Sequence, residues 1–173
     1  ALPAFDGPAM LVPGDWPAAP ATITRLDASD AALKALIAAA LDDPRALAAL
    51  RGTALSADLD GDGVEEKIVS ATSIAEDGAT PKAGDYTVLA VEWTANGKAT
   101  VLPLQTQRVT AETAEYGEVT WEAPQIVAIA DLDGDGAMEV VAVIWGYEQM
   151  DVVAWSFAAD GTPRVAYTAG CAV

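Results

Sequence analysis

Two stretches decide the reading of this chain: ADLDGDGVEEKIV at residues 57–69 and ADLDGDGAMEVVAV at residues 130–143. Each is an aspartate-rich, glycine-hinged turn followed at once by an apolar, β-prone run. Each is also preceded by one, Thr53–Ala57 in the first copy and Ile126–Ala130 in the second. The duplication extends further: YTVLAVEWTANGKATV (86–101) aligns with MDVVAWSFAADGTPRV (150–165). In that alignment Val88 meets Val152, Trp93 meets Phe157 and Gly97 meets Gly161. Asn96-Gly97 and Asp160-Gly161 fall at matching places and are predicted to be type I′ hairpin turns. The first copy is longer in the polar stretch 75–85, as expected of a surface loop.

An internal repeat of this kind sets the architecture. Each copy is expected to run strand, Asp-rich loop, strand, loop, strand, tight turn, strand. The fold class is therefore mainly β, with two four-stranded antiparallel blade-like repeats at 53–108 and 125–169. Two blades cannot close a propeller, which needs about four to eight, so a two-sheet body related by pseudo-twofold symmetry is expected within a single domain, 1–173. Residues 28–51 form the one helical region. Leu33, Leu36, Ile37, Ala40 and Leu41 recur on one helical face. Asp27 or Ser29 is placed to cap the start, Asp43-Pro44 to break and restart the helix, and Gly52 to stop it. Such a helix is expected to cover an edge or face of a sheet. The Pro-rich arm 1–27 holds Pro3, Pro8, Pro13, Pro17 and Pro20. Over 1–24 it is expected to be extended, without a regular ladder, with Phe5, Leu11, Val12 and Trp16 against the body. Residues 109–123, with Glu112, Glu115, Glu118 and Glu122, are expected to be a solvated acidic linker.

Composition narrows the chemistry. With 26 acidic and 9 basic residues the formal charge is −17, which disfavours nucleic acid and anionic membrane surfaces as partners. No apolar run reaches the roughly 18 residues of a membrane span, so no membrane insertion is expected. The chain has no His, which removes Ser-His-Asp and Cys-His catalysis and most zinc sites. Cys171, the single cysteine, cannot form an intrachain disulfide. It is expected to be a buried or fraying thiol, with an intermolecular disulfide as the alternative.

The loops carry the chemistry. Calcium takes six to eight hard oxygen ligands, and one short turn can supply them if carboxylates recur at alternate residues. The first loop offers Asp58, Asp60 and Asp62 at positions one, three and five, the Val64 carbonyl at position seven and Glu66 at position nine. The second offers Asp131, Asp133, Asp135, the Ala137 carbonyl and Glu139. Two Ca²⁺ sites are expected. An EF-hand loop would close with Glu at position twelve, but those positions are Val69 and Ala142, and the flanks are β-rich rather than helical. Magnesium suits such sites less, since it prefers small octahedral sites and keeps its waters.

On these residues, DLDGDGVEEKIV and DLDGDGAMEVVAV, the chain resembles the FG-GAP/VCBS calcium-loop repeats, the repeats of integrin α-chain propellers and many bacterial secreted proteins. The resemblance covers the two repeats but not the helix or the arm. It implies the same ten ligand positions, with Glu at position nine where the family more often has Asp. It also implies a non-enzymatic binding or adhesion module whose calcium is structural, with a protein or glycan as partner. Trp145, Tyr147 and loop 75–85 are the candidate contact surface, although Trp145 fits a core position equally well. Millimolar calcium is extracellular, and the chain opens Ala-Leu-Pro-Ala as a processed product would, so an extracytoplasmic location, periplasmic or secreted, is expected. Two alternatives stay open: an inhibitor or subunit that binds a basic protein, and a hydrolase using paired carboxylates.

Overall fold

Successive residues of a strand point to opposite faces, so a run that is apolar at every position must be covered on both sides. VLAV at 88–91 is such a run, fully buried, and its coverage organises the molecule. The computed structural model describes residues 19–27, 31–43, 51–74, 81–116, 122–146 and 148–172. Among these, β1 (Ala19–Pro20), β2 (Thr24–Arg25) and helix α1 (Ala31–Ala40) precede the repeats. The first repeat is β3 (Arg51–Ala57), β4 (Glu66–Thr72), β5 (Tyr86–Ala95) and β6 (Lys98–Arg108). A short helix α2 (Ala111–Tyr116) leads to β7 (Ala123–Asp131), β8 (Glu139–Gly146), β9 (Gln149–Phe157) and β10 (Pro163–Ala172). Each repeat is an antiparallel meander, with the order β3-β4-β5-β6 in one sheet and β7-β8-β9-β10 in the other. The expected two unclosed antiparallel sheets are found, each a four-stranded meander that a strand of the arm extends to five.

The sheets pack face to face. Leu55, Ile68, Leu89, Val91 and Trp93 of the first meet Ile129, Val140, Ala142, Ile144 and Trp155 of the second in one core. The opposite face of the first sheet, with Val69, Ala71, Val88 and Ala90, is covered by Leu36, Ile37 and Leu41 of the α1 segment. The order is thus helix, sheet, sheet, and β5 is buried on both sides. Trp93 and Phe157, which occupy matching positions in the repeats, stack on each other at 5.1 Å between ring centroids. The expected pseudo-twofold is not found: Val69 faces α1, whereas Ala142, its equivalent in the second repeat, faces the core between the sheets, so the two sheets meet through opposite faces of their second strands.

Several expectations are corrected. The arm does form ladder: β1 pairs with β7 and β2 with β3, each as the outermost strand of its sheet. Pro20 is tolerated because an edge strand need not donate on its outer side. Residues 1–18, and with them the expected contacts of Phe5, Leu11, Val12 and Trp16, lie outside the described residues, as do Ser29 and the expected helix restart at 44–50. Helix α1 ends next to Asp43, where the break was expected. Asp42 adopts φ 49, its N–H donates to the Ala39 carbonyl at 3.2 Å, and the Asp43 N–H donates to the Ala38 carbonyl at 2.9 Å. This is a Schellman ending, with Asp in the left-handed position usually held by Gly. The Arg108 guanidinium seals it by donating to the Leu41 carbonyl and the Asp43 carboxylate. Arg51 and Gly52 belong to β3 instead, and a Cβ on Gly52 would collide with the Ser70 carbonyl of β4.

Of the segment 109–123, residues 117–121 with Glu118 lie outside the described residues; Val109 is buried, Glu112 is exposed, and Ala111–Tyr116 is helical. Thr110 caps α2 by accepting the Thr113 N–H at 3.1 Å, and Glu122 is held by Gln105 at 2.6 Å and Gln107 at 3.0 Å. Cys171 is exposed and in register with Met150, neither buried nor frayed, because β10 is an edge strand.

The two hairpin turns also differ. Asn96-Gly97 has φ 53 and 72, as a type I′ turn requires. At Asp160-Gly161 only Gly161 is positive, at φ 84. The Asp160 carboxylate accepts the Thr162 N–H at 2.9 Å, and the Gly161 N–H donates to the Ala158 carbonyl at 2.7 Å. That is a type I turn with a left-handed glycine after it, not type I′. Nothing surrounds a Cβ built on Gly97, whereas one on Gly161 would stand 2.6 Å from the Trp93 ring. Gly97→Ala should therefore cost only the left-handed penalty, about 1–2 kcal/mol. Gly161→Ala should add an overpacking cost of about 1–3 kcal/mol by pushing on the Trp93–Phe157 stack. Urea unfolding of the two variants measures the difference.

Candidate metal centre

Each Asp-rich loop is the connection of a hairpin. β3 ends at Ala57, paired with Glu66 at the start of β4, and β7 carries Ala130, paired with Glu139 at the start of β8. The same interval of chain thus separates the same two residue types in both repeats. Gly61 and Gly63 (φ 76 and 87) and Gly134 and Gly136 (φ 84 and 92) bend it. No atom crowds a Cβ at any of these four positions, so glycine serves the backbone conformation rather than space.

The bend turns amides onto carboxylates in the same pattern twice. Asp58 accepts the Gly61 N–H at 2.8 Å and the Gly63 N–H at 3.0 Å; Asp131 accepts those of Gly134 at 2.6 Å and Gly136 at 3.0 Å. Asp60 accepts from Asp62, and Asp133 from Asp135, each at 3.1 Å. Asp62 accepts from Val64 at 2.7 Å, and Asp135 from Ala137 at 2.8 Å. Each aspartate is thereby fixed in direction by the backbone. Asp58, Asp60 and Asp62 each bring a carboxylate oxygen within 4.8 Å of the others, as do Asp131, Asp133 and Glu139. Glu66 stands outside the first group and Asp135 outside the second. Val64 and Ala137 hold position seven beside them.

The position-nine glutamates set the electrostatics. Glu66 is 0 % exposed and Glu139 2 % exposed. Glu66 accepts the Leu59 N–H at 3.1 Å, and Glu139 accepts the Leu132 N–H at 2.7 Å. Burial pushes both carboxyls above the ordinary glutamate range; the amides pull them back, and the neighbouring aspartates push them up further. No cationic side chain is among the main influences on either one. A buried carboxylate facing further carboxylates is stable in its charged form only with a positive partner. The donors are all oxygen, which suits a hard divalent cation such as Ca²⁺ and not a thiolate- or imidazole-seeking metal.

Sequence reasoning passed over one connection. The Met138 N–H of the second loop donates to the Leu59 carbonyl of the first at 2.8 Å, so the two loops touch. Leu59, at position two, is 1 % exposed and belongs to the core. The leucine shared by both copies, Leu59 and Leu132, was the available signal. Of the candidate contact residues, Trp145 is 51 % exposed and so is not core; Tyr147 and residues 75–80 lie outside the described residues. No family model, curated protein or solved structure matches the chain.

The raised glutamates make a signed pH expectation for the metal-free protein. The folded state holds these protons more tightly than the unfolded state, so the two groups' contribution to stability is fully present below the ordinary glutamate pKa of 4.5 and is lost as pH rises through the raised folded values. In chelator, melting temperature followed upward from that pH should fall more steeply for the native chain than for the Glu66→Gln, Glu139→Gln double variant. Parallel curves would contradict the burial of these charges.

Proposed function

We propose that this chain is a calcium-binding repeat module of the FG-GAP/VCBS kind, in which two Ca²⁺ ions fix the β3–β4 and β7–β8 hairpins. The observation that carries the reading is the paired burial of Glu66 and Glu139 next to aspartates already oriented by backbone amides. Asp58, Asp60, Asp62 and Glu66 would hold one ion with the Val64 carbonyl, and Asp131, Asp133, Asp135 and Glu139 the other with that of Ala137. The ion would cancel repulsion within each loop and supply the missing partner of a core-facing carboxylate. Its role is structural. The orienting hydrogen bonds commit these carboxylates to the loops, which favours a binding or adhesion module over a hydrolase. Exposed Trp145, at the end of β8, supports a contact surface for a protein or glycan there. Loops of this type work in millimolar calcium, so the module belongs outside the cytoplasm.

Calorimetric titration with calcium tests the ligand set. The native chain should bind two equivalents, and Asp60→Ala and Asp133→Ala should each lose one. Two equivalents retained in either variant would refute the assignment. Calcium at about a hundred times the dissociation constant should add about 2.7 kcal/mol per site, about 5–10 °C each for a chain of this size. A melting curve unchanged by excess chelator would refute a structural ion.

A further inference from the structure

The segment Ala19–Asp27 is the one described stretch that pairs with both sheets. At one end Ala19 and Pro20 lie opposite Asp131 and Ala130, and the Ala21 N–H donates to the Ile129 carbonyl at 3.1 Å. At the other end Thr24 and Arg25 lie opposite Ser56 and Leu55, and the Leu26 N–H donates to the Ala54 carbonyl at 2.9 Å. The segment therefore bridges β3 and β7, the two strands that lead into the Asp-rich loops, and it meets β7 at Asp131 itself. Over residues 21–27 its burial is slight. Ala21 and Leu26 are half-buried, while Thr22, Ile23, Thr24, Arg25 and Asp27 are exposed. Its two ladders are two residues each, far below the length at which strand pairing is stable alone.

We infer that Ala19–Asp27 is a calcium-gated strap, docked when the loops are loaded and released when they are empty. This rests on the calcium reading given above. An ion in each loop fixes the last residues of β3 and β7. Without it, carboxylate repulsion loosens Asp58 and Asp131, and the strand ends that the strap pairs with fray. Release bares the outer edges of β3 and β7 in both sheets at once. Linkage makes the effect reciprocal: docking the strap must tighten calcium binding by the same factor that calcium tightens docking.

Amide hydrogen exchange tests the strap. In excess chelator the Ala21 and Leu26 amides should exchange near the unfolded-chain rate, while the β4–β5 ladder between Lys67–Thr72 and Thr87–Glu92 stays protected; with calcium both should be protected. Strap amides equally protected in chelator, or lost only together with the β4–β5 ladder, would overturn the inference. For the reciprocal effect, Asp60→Ala leaves the second loop alone to report. Adding Ala21→Pro, which removes the N–H donated to Ile129, should weaken its calcium affinity by about fivefold or more. Unchanged affinity would also overturn the strap. Absence of any calcium heat in the native chain would sink the metal reading and the strap together, whereas two bound ions with an indifferent strap would sink the strap alone.

Discussion

The repulsion among carboxylates held on a glycine-hinged bend is the constraint around which the rest of the structure is arranged. The amides of Gly61, Gly63, Gly134 and Gly136 hold Asp58 and Asp131, and those of Asp62, Val64, Asp135 and Ala137 orient the aspartates that follow. The glutamate that follows each loop is not on its rim but inside the protein. Glu66 and Glu139 begin β4 and β8, so the charge of the loop is coupled directly to the first residue of a core strand. A cation bound there would act on the start of a hairpin rather than on a surface turn.

The two repeats answer the burial problem by facing each other. Each meander has an apolar inner face, and neither could stand in water alone. Their packing puts Trp93 on Phe157 and joins Met138 to Leu59, so the aromatic pair and the Asp-rich loops are parts of one interface. Helix α1 covers the outer face of the first sheet. The arm then spans the first strands of both sheets with two minimal ladders. Core, loops and strap thus share the ends of β3 and β7.

Much of this was legible in the sequence, because it depends on local period and on repetition. The duplicated DLDGDG marked the hairpin loops, β-prone runs between turns marked the strands, and Leu33, Leu36, Ile37 and Leu41 marked the buried helical face correctly. What escaped depends on contacts between distant residues. The break of helix α1 at Asp43 was legible, but its closure was not: a Schellman turn with Asp42 and Arg108 from β6 seal it, and nothing near Asp42 announces an arginine from the far end of the repeat. Asp160-Gly161 copies the form of Asn96-Gly97 but not its turn, since the Asp160 carboxylate bonds to Thr162 and Trp93 rests on Gly161. The strap was unreadable because prolines argue against ladder, and only an edge position excuses Pro20. In the loops the residue types were plain, but the asymmetry was not: the oxygens gather as three aspartates in the first loop and as two aspartates with Glu139 in the second.

Anomalous diffraction from crystals grown in ample calcium addresses the central claim most directly. One strong anomalous peak should appear in each loop, ringed by oxygens at about 2.3–2.6 Å, from Asp58, Asp60, Asp62 and Glu66 in one and from Asp131, Asp133, Asp135 and Glu139 in the other. Water or empty space between those carboxylates would contradict it.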